Sequence, residues 1–169
     1  GRIISVDLDS VRFPNGTVGD LEMVRHPGAS AVVPFLDPID QGDPRIVLIR
    51  QYRYAAEGFV FEIPAGRLDQ GESPETCARR ELKEETGYSA NELIRLTTFY
   101  TTPGFTDERI HLFAATGLEA GESQTEADEI LDLVTLPLSK ALEMIARGEL
   151  VDGKSIVGLM FAASFARNG

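Results

Sequence analysis

The sequence is poor in the residues that build disulfide frameworks and histidine metal sites. Its 169 residues include one cysteine, Cys77, and two histidines, His26 and His111. A single cysteine cannot form an internal disulfide, so nothing in the sequence indicates an oxidising compartment. The histidines have no ligand-spaced partners, which argues against a histidine metal site. Cys77 has no histidine near it in the chain, so we expect a small buried side chain rather than a reactive thiol.

Long apolar runs are also missing, and positive charge is scarce. No run approaches the roughly 18 residues of a membrane-spanning helix, and the first residues lack the charged start and apolar stretch of a secretory signal. We therefore expect a cytoplasmic protein without membrane contact. The formal net charge of -11 argues against sequence-independent binding of nucleic acid, which depends on cationic side chains. An acidic protein that handles phosphates needs a local cation, either a metal ion or a few arginines.

The composition suits one globular domain preceded by a small β element. Hydrophobic residues make up 43% of the chain and charged residues 25%, which is enough to build a buried core. Apolar and polar residues alternate from Ile3 to Arg25 and are interrupted by Pro14-Asn15-Gly16, a pattern that predicts two strands and a turn. We therefore expect an antiparallel element at residues 1–28, followed by the main domain at residues 29–169.

Strands and helices are mixed along the main domain without strict alternation. Short apolar segments predict strands at 31–36, 46–49, 59–63, 93–100, 110–115 and 130–136. Helices are predicted at 74–86, near Ser139 and after Asp152. The last helix is apolar on most of its surface, as expected for burial in the domain or against another subunit. The polar, acidic segment 117–128 predicts a loop. Together these elements predict an α+β fold with a mixed sheet rather than a doubly wound parallel sheet.

The helix predicted at 74–86 carries the main chemical signal. Ser73-Pro74-Glu75 is typical of a helix start, and Gly87 stands where a helix would end. Three carboxylates at i, i+3 and i+4 share one face of this helix, those of Glu81, Glu84 and Glu85. Like charges at these spacings repel each other unless a cation joins them. A solvated acidic face and a divalent-cation site with oxygen ligands are the two interpretations of this cluster.

The complete pattern around these carboxylates favours the metal site. The residues from Gly66 to Gly87 stand as G-x5-E-x7-R-E-L-x-E-E-x-G, which resembles the Nudix box without a gap. Tyr88 stands where the family pattern has a bulky aliphatic residue. The resemblance implies a Nudix α/β/α sandwich and a Mg²⁺-dependent hydrolase of a diphosphate linked to another moiety, with Mn²⁺ as a substitute. It implies metal binding by Glu81, Glu85, Glu84 and the backbone carbonyl of Ala65, and a structural salt bridge between Glu72 and Arg80.

Segments outside the box resemble the ADP-ribose pyrophosphatase branch of the family. They are Arg25-His26-Pro27-Gly28, Arg50-Gln51-Tyr52-Arg53, Glu62-Ile63-Pro64-Ala65-Gly66 and Thr102-Pro103-Gly104-Phe105-Thr106-Asp107-Glu108. Pro103 follows Gly87 by sixteen residues, as a proline does in that branch. The resemblance implies hydrolysis of ADP-ribose to AMP and ribose 5-phosphate by a homodimer, with the residue 1–28 element and the partner subunit helping to build the adenosine site.

Three alternatives to ADP-ribose hydrolysis stay open. Hydrolases of GDP-mannose and related sugar nucleotides share much of this layout. A catalytically inactive Nudix domain that binds a nucleotide as a sensor is the alternative from a different class, although such domains usually lose box glutamates and all of them are present here. Removal of damaged nucleoside triphosphates is the third, and both the Pro103 turn and the N-terminal hairpin speak against it.

The resemblance also assigns roles to residues outside the metal site. Substrate contacts are assigned to Arg50, Arg53, Glu62, Pro103, Gly104 and Glu108, with Arg53 as the preferred phosphate contact. In this branch the general base is often a glutamate in the loop after the strand that follows the proline turn. That loop offers Glu119, Glu122, Glu126, Asp128 and Glu129, of which we favour Glu126 and Glu129; Glu84 and Glu85 complete the candidate catalytic set. Tyr52, Phe59, Phe105 and partner-subunit residues are the candidates for stacking on the base.

Overall fold

The computed structural model describes residues 4–121 and 131–166, which form nine strands, three α-helices and one short 3₁₀ helix. The strands are β1 (Ser5–Arg12), β2 (Val18–Arg25), β3 (Ala29–Pro34), β4 (Arg45–Arg53), β5 (Gly58–Glu62), β6 (Ala65–Arg67), β7 (Tyr88–Tyr100), β8 (Arg109–Ala120) and β9 (Leu131–Pro137). The helices are α1 (Pro74–Thr86), α2 (Leu138–Ala146) and α3 (Gly153–Ala166), with the 3₁₀ helix at Tyr54–Ala56.

The strands form three sheets. The hairpin β1–β2 is a sheet of its own, the central sheet has the order β6-β3-β8-β7, and the third has the order β5-β4-β9. Strands β3 and β8 run parallel, whereas β7 and β8 run antiparallel. The central sheet is therefore mixed, which confirms the α+β class predicted from the sequence.

The core lies on both faces of the central sheet. On one face, β3 and β8 contribute Val32, Phe113 and Ala115, which pack with Ala78 and Leu82 of α1. On the other face, alternate residues of the same strands pack with α2, α3 and β4; this larger cluster includes Ala31, Val33, Leu112, Ala114, Leu48, Ala141 and Leu159. Because successive side chains of a strand point to opposite faces, the apolar runs at residues 31–33 of β3 and 112–115 of β8 are covered on both sides.

Helix α1 begins and ends where its capping residues predict. The hydroxyl of Ser73 accepts a hydrogen bond from the N–H of Thr76, and Pro74 occupies the first turn. At the other end Gly87 takes a left-handed conformation with φ of 75°, and its N–H donates to the carbonyl of Lys83. Glycine suits this position because it has no Cβ to clash in that conformation. The predicted bounds 74–86 are confirmed.

The hairpin β7–β8 is longer than the sequence predicted. Gly117–Ala120 continues β8 instead of belonging to the predicted loop, because residues 118–120 pair with Tyr88–Ala90 at the start of β7. The polar composition of this end reflects its exposure rather than a lack of strand pairing. Strand β6 was also missed, since three residues carry too little pattern and their pairing with β3 decides the conformation.

The N-terminal hairpin is joined to the domain through the end of β2. The N–H of Val24 donates to the carbonyl of Phe105 at 2.8 Å, and Arg25 pairs with Asp107 at 3.5 Å. The hairpin and its turn confirm the predicted β element, while the division at residues 28 and 29 stays a prediction. Among residues 4–121 and 131–166, no helix is long and apolar enough to cross a membrane. Helix α3 buries Leu159 and Ala162 but leaves Met160 and Phe161 exposed, so only part of its apolar surface is covered within the chain.

Candidate active site

The acidic face of α1 lies against the chain segment that enters β6. The Glu85 carboxylate is buried, and its Oε2 accepts the backbone N–H of Ala65 at 2.9 Å. The Glu81 carboxylate lies against the backbone of Gly66, so closely that a methyl group at Gly66 would overlap it. Both carboxylates therefore contact the backbone of residues 65 and 66, which belong to the chain segment between β5 and α1.

Arg80 balances part of the negative charge on this face. Its guanidinium binds both oxygens of Glu72, at 3.0 and 2.9 Å, which is the predicted Glu72–Arg80 salt bridge. Its Nη1 also donates to Glu81 at 2.6 Å and to Glu84 at 3.1 Å. The hydrogen bond with Glu72, followed by the charge of Glu81, raises the pKa of Arg80. The same hydrogen bond lowers the pKa of Glu72 to about 2, so both groups stay charged.

The donor set suits a hard divalent cation. Across residues 4–121 and 131–166, no three acidic, histidine or cysteine side chains converge on one point at ligand distance. The carboxylates of Glu81 and Glu85 nevertheless meet at one short backbone segment, with Glu81 against Gly66 and Glu85 on the N–H of Ala65. Arg80 bridging Glu81 and Glu84 demonstrates that positive charge is accommodated there. Oxygen donors of this kind are those that Mg²⁺ and Mn²⁺ prefer.

A second polar cluster surrounds Glu62, three residues before Ala65 in the chain. Glu62, the last residue of β5, is only 2% exposed. Arg53 donates to its two oxygens at 2.7 and 2.8 Å, and the ammonium of Lys154 donates to Oε2. Burial alone would raise the pKa of Glu62, but the hydrogen bonds from Arg53 and Lys154 outweigh it and the pKa is lowered. The pKa of Arg53 is raised by its hydrogen bond to Glu62 and, to a smaller extent, by the charge of Glu85.

This cluster borders a cavity of about 440 Å³ and includes Asp152 and Lys154, which the sequence did not predict as site residues. The cavity is lined by Arg53, Ala55, Val60, Glu62, Asp152 and Lys154, among others. Lys154 stands in the first turn of α3, directly after Asp152-Gly153. An aspartate before a helix start is a visible sequence signal, but nothing local indicates that the lysine reaches β5, 92 residues away in the chain.

The other predicted substrate residues are not gathered around Arg53. Arg50 belongs to the opposite face of β4, where its guanidinium stacks on the ring of Phe59 at 4.0 Å and pairs with Asp132 at 3.4 Å. Pro103, Gly104 and Glu108 belong to the turn between β7 and β8, beside the N-terminal hairpin. In that turn Glu108 accepts a hydrogen bond from Thr101 and lies 3.4 Å from the ring of His26.

Most of the predicted general bases lie outside the described residues, whereas the three predicted stacking residues of this chain are described. Glu126 and Glu129 lie outside the described residues, as do Glu122 and Asp128, while Glu119 is an exposed residue of β8. Tyr52, Phe59 and Phe105 are all partly exposed, and the rings of Tyr52 and Phe59 meet edge to face at 5.8 Å. Cys77 is buried, as expected, and burial together with the charge of Glu72 raises the pKa of its thiol to about 11.

Comparison with known proteins identifies the family of the chain. The family model described as NUDIX domain matches residues 25–156. The chain is 40% identical to "Methanol dehydrogenase activator" of Bacillus methanolicus and 39% identical to "ADP-ribose pyrophosphatase" of Bacillus subtilis, in each case over 95% of this chain and 85% of the relative. Proteins named GDP-mannose pyrophosphatase also match, over a smaller share of the chain.

A solved structure shares the fold. The crystal structure of an "ADP compounds hydrolase" superposes with a TM-score of 0.82 at 24% identity and covers 99% of this chain and 89% of its own. This likeness confirms the predicted Nudix sandwich as the architecture of the domain. Since the family model spans most of the chain and relatives near 40% identity span nearly all of it, the chain belongs to the Nudix family of hydrolases.

Proposed function

We propose that this protein hydrolyses the pyrophosphate bond of ADP-ribose, giving AMP and ribose 5-phosphate, with Mg²⁺ as the metal. Nudix hydrolases generally need a divalent cation. The observation that carries the proposal is the meeting of two groups at one chain segment, residues 62–66. The acidic face of α1 reaches Ala65 and Gly66, and Arg53 reaches Glu62. A metal site and a phosphate-binding guanidinium at adjacent positions suit a diphosphate substrate.

The substrate class rests on relatives as well as on the site. One relative named ADP-ribose pyrophosphatase, of Bacillus subtilis, aligns with 95% of this chain. GDP-mannose is the alternative substrate, because proteins named GDP-mannose pyrophosphatase align with 69% of it. Both compounds are nucleoside diphosphate sugars, so the alternative changes the base and the sugar but not the bond that is cleaved.

Glu81, Glu85, Glu84 and the carbonyl of Ala65 would hold the cation. When bound there, a divalent cation would neutralise phosphate oxygens and lower the pKa of a bound water. The protein's own contribution is orientation. Glu62 holds the Arg53 guanidinium at two points, so that its remaining N–H groups can bind a phosphate oxygen in a defined direction. The Glu72–Arg80 pair holds the loop that precedes α1 against the helix.

Proton removal from water is assigned to an acid outside the box. Glu126 and Glu129 remain the proposed bases, with Glu84 as the alternative within the box. Arg50, Pro103, Gly104 and Glu108 remain proposed substrate contacts.

A homodimer built through the N-terminal hairpin is part of the proposal. Val6 and Leu8 point from the same face of β1 and are 68% and 70% exposed, an unusual exposure for two apolar residues of one strand. A second subunit would cover this face and bring its own residues toward the adenosine. Sedimentation velocity should show a dimer for the wild type and a monomer for the double variant Val6→Asp, Leu8→Asp; a wild-type monomer would contradict this part. A cytoplasmic location is also part of the proposal, and a single, buried cysteine, Cys77, is compatible with it.

The experiment that tests the function is a panel of substrates. ADP-ribose, GDP-mannose, NADH, a diadenosine polyphosphate and a nucleoside triphosphate are each incubated with the protein and Mg²⁺, and products are separated by chromatography. We expect the highest kcat/KM for ADP-ribose, with AMP as a product. The highest value for GDP-mannose would replace the substrate and keep the chemistry. Tight binding of ADP-ribose without turnover of any compound would instead establish a nucleotide sensor.

A further inference from the structure

The segment Ile63-Pro64-Ala65 joins β5 to β6, and its N–H groups are bound by side chains, although the carbonyl of Pro64 accepts the N–H of Val32 of β3 at 2.9 Å. Strand β5 ends at Glu62 and β6 starts at Ala65, so the N–H of Ile63 has no strand partner. Proline has no N–H. The two remaining donors are bound by two helices from opposite sides. The N–H of Ala65 donates to Glu85 of α1 at 2.9 Å, and the N–H of Ile63 donates to the hydroxyl of Ser155 of α3 at 2.8 Å.

Ser155 is itself held in place by the start of α3. It is fully buried, and its hydroxyl donates to Oδ2 of Asp152 at 2.5 Å. Asp152 also accepts the backbone N–H of Ser155 at 3.0 Å, as a capping residue does, and the ammonium of Lys154 at 3.0 Å. The hydroxyl of Ser155 therefore donates one hydrogen bond, to Asp152, and accepts one, from Ile63, and the two together define its orientation.

The position of Ile63 matters because groups of the active site lie on either side of it. Glu62, which holds Arg53, precedes it by one residue, and Ala65, whose carbonyl is the proposed metal ligand, follows it by two. The region is buried, so an Ile63 N–H without a partner would be costly, and the backbone would shift to find one. Glu62 is paired with Ile49 and Ala65 with Ala31, so such a shift would be confined to the peptides between them and would change the orientation of the groups on either side of Ile63.

We propose that Ser155 is a positioning residue of the active site, whose hydroxyl holds the Ile63 peptide and thereby sets the Ala65 carbonyl against the acidic face of α1 and the Glu62 carboxylate against Arg53. This inference rests on the proposed function for the identity of the metal ligands. Ser155 belongs to α3, which lies outside both the Nudix box and strand β4 with Arg53, so a further element of the fold would support the active site.

The test compares Ser155→Ala with Ser155→Thr, which keeps the hydroxyl. Binding of Mn²⁺ in the absence of substrate is measured by electron paramagnetic resonance, exchange of the Ile63 amide proton by NMR, and kcat and KM with the best substrate of the panel. For Ser155→Ala we expect Mn²⁺ affinity to fall about 10-fold, as is typical when a group supporting a metal ligand is removed, with faster Ile63 exchange and a lower kcat. Ser155→Thr should resemble the wild type in all three measurements.

The matched control is Ser164→Ala in the same helix, where the hydroxyl donates only to the carbonyl of Phe161 at the surface. It should leave Mn²⁺ affinity unchanged. A Ser155→Ala protein with a lower Tm but wild-type Mn²⁺ affinity and kcat/KM would reduce Ser155 to a structural residue and overturn the proposal. A loss of Mn²⁺ affinity in Ser155→Thr equal to that in Ser155→Ala, with the Ile63 amide still protected from exchange, would overturn it as well, since the hydrogen bond to Ile63 would then not set the affinity.

The variant Asp152→Asn tests the proposal if Ser155→Ala does not fold. Asp152→Asn leaves the serine in place and weakens its acceptor, so a smaller loss of Mn²⁺ affinity in the same direction is expected; an unchanged affinity overturns the proposal. Failure of the proposed function is separable from this result. If the wild type does not hydrolyse ADP-ribose but Ser155→Ala still weakens Mn²⁺ binding, the substrate is wrong and the role of Ser155 stands.

Discussion

Oε2 of Glu85 accepts the backbone N–H of Ala65 at 2.9 Å, and this hydrogen bond joins the acidic helix to the segment that carries the proposed carbonyl ligand. The Glu85 residue is only 3% exposed, so the bond forms away from bulk water. One oxygen of the carboxylate is thereby oriented by the backbone. This contact directly links two proposed ligands, one from a side chain and one from the backbone, while the pairing of β6 with β3 and the Ile63–Ser155 hydrogen bond hold the same segment from other sides.

Replacing Glu85 by glutamine should abolish most activity without unfolding the protein. The amide oxygen of Glu85→Gln can still accept the Ala65 N–H, but the negative charge is lost. Because metal-assisted charge neutralisation is worth several kcal/mol in such reactions, we expect kcat to fall about 100-fold or more. The control is Glu75→Gln, on the same helix but paired with Arg79 at the surface, which should retain activity. Wild-type kcat in Glu85→Gln would refute the metal assignment.

Gly66→Ala should weaken metal binding more than it weakens the fold. A Cβ at Gly66 would overlap the carboxylate of Glu81, which is the end of a flexible side chain and can rotate away. We expect a Tm close to that of the wild type but a clear increase in the Mg²⁺ concentration needed for half-maximal activity. Gly42→Ala is the control, since a Cβ there meets nothing within 4 Å. Unchanged metal dependence in Gly66→Ala would mean that Glu81 is not a ligand.

Arg53→Ala should lower both substrate affinity and stability. It leaves the buried carboxylate of Glu62 without its two guanidinium hydrogen bonds, which we expect to cost about 1 to 3 kcal/mol in the free energy of unfolding. Arg53→Lys should restore charge but not the two-point contact, and so give intermediate values. Urea unfolding and KM are the measurements. Arg45→Ala, at the other end of β4 and paired with Asp37 at the surface, should leave KM unchanged; an equal rise in KM would contradict the role of Arg53.

Acid should destabilise the protein partly through Glu72. Its pKa in the folded protein is lowered from 4.5 to about 2, chiefly by the hydrogen bond with Arg80. The contribution is therefore complete above pH 4.5 and is lost as the pH falls toward about 2, since only the unfolded chain takes up the proton in that range. Urea unfolding of Glu72→Gln should show a protein that is less stable than the wild type at neutral pH and loses less stability on acidification. An identical pH dependence in the two proteins would contradict the assignment.

Separate replacement of Glu126 and Glu129 by glutamine should identify the general base. We expect one large and one small loss of kcat, because only one of the two carboxylates can accept the proton from the attacking water. The pH dependence of kcat/KM measured alongside should lose its acidic limb in the variant with the large effect. Small and equal losses would move the base elsewhere, with Glu84 as the next residue to replace.

Most secondary structure was predictable because its signals are local. The hairpin of β1 and β2, the strands β3 to β5 and the helix α1 follow from alternation, turn residues and capping, which act within a few residues. The segments that were not predicted form strands only because they pair with strands from elsewhere in the chain. Strand β6 exists because β3 pairs with it, and Gly117–Ala120 is a strand because the start of β7 lies beside it. Neither partner could be inferred from the composition of the segment itself.

The sequence by itself determined the acidic face of α1, because the spacing of Glu81, Glu84 and Glu85 on a capped helix places three carboxylates on one face whatever surrounds them. It also determined the family, through the uninterrupted box. Only the tertiary structure decided what supports that face. Arg50 and Arg53 are neighbours in the chain but point to opposite faces of β4, whereas Ile63 and Ser155 are 92 residues apart and share a hydrogen bond. Contacts of that kind depend on how helices pack onto sheets, and the physical information for them is spread over the whole core.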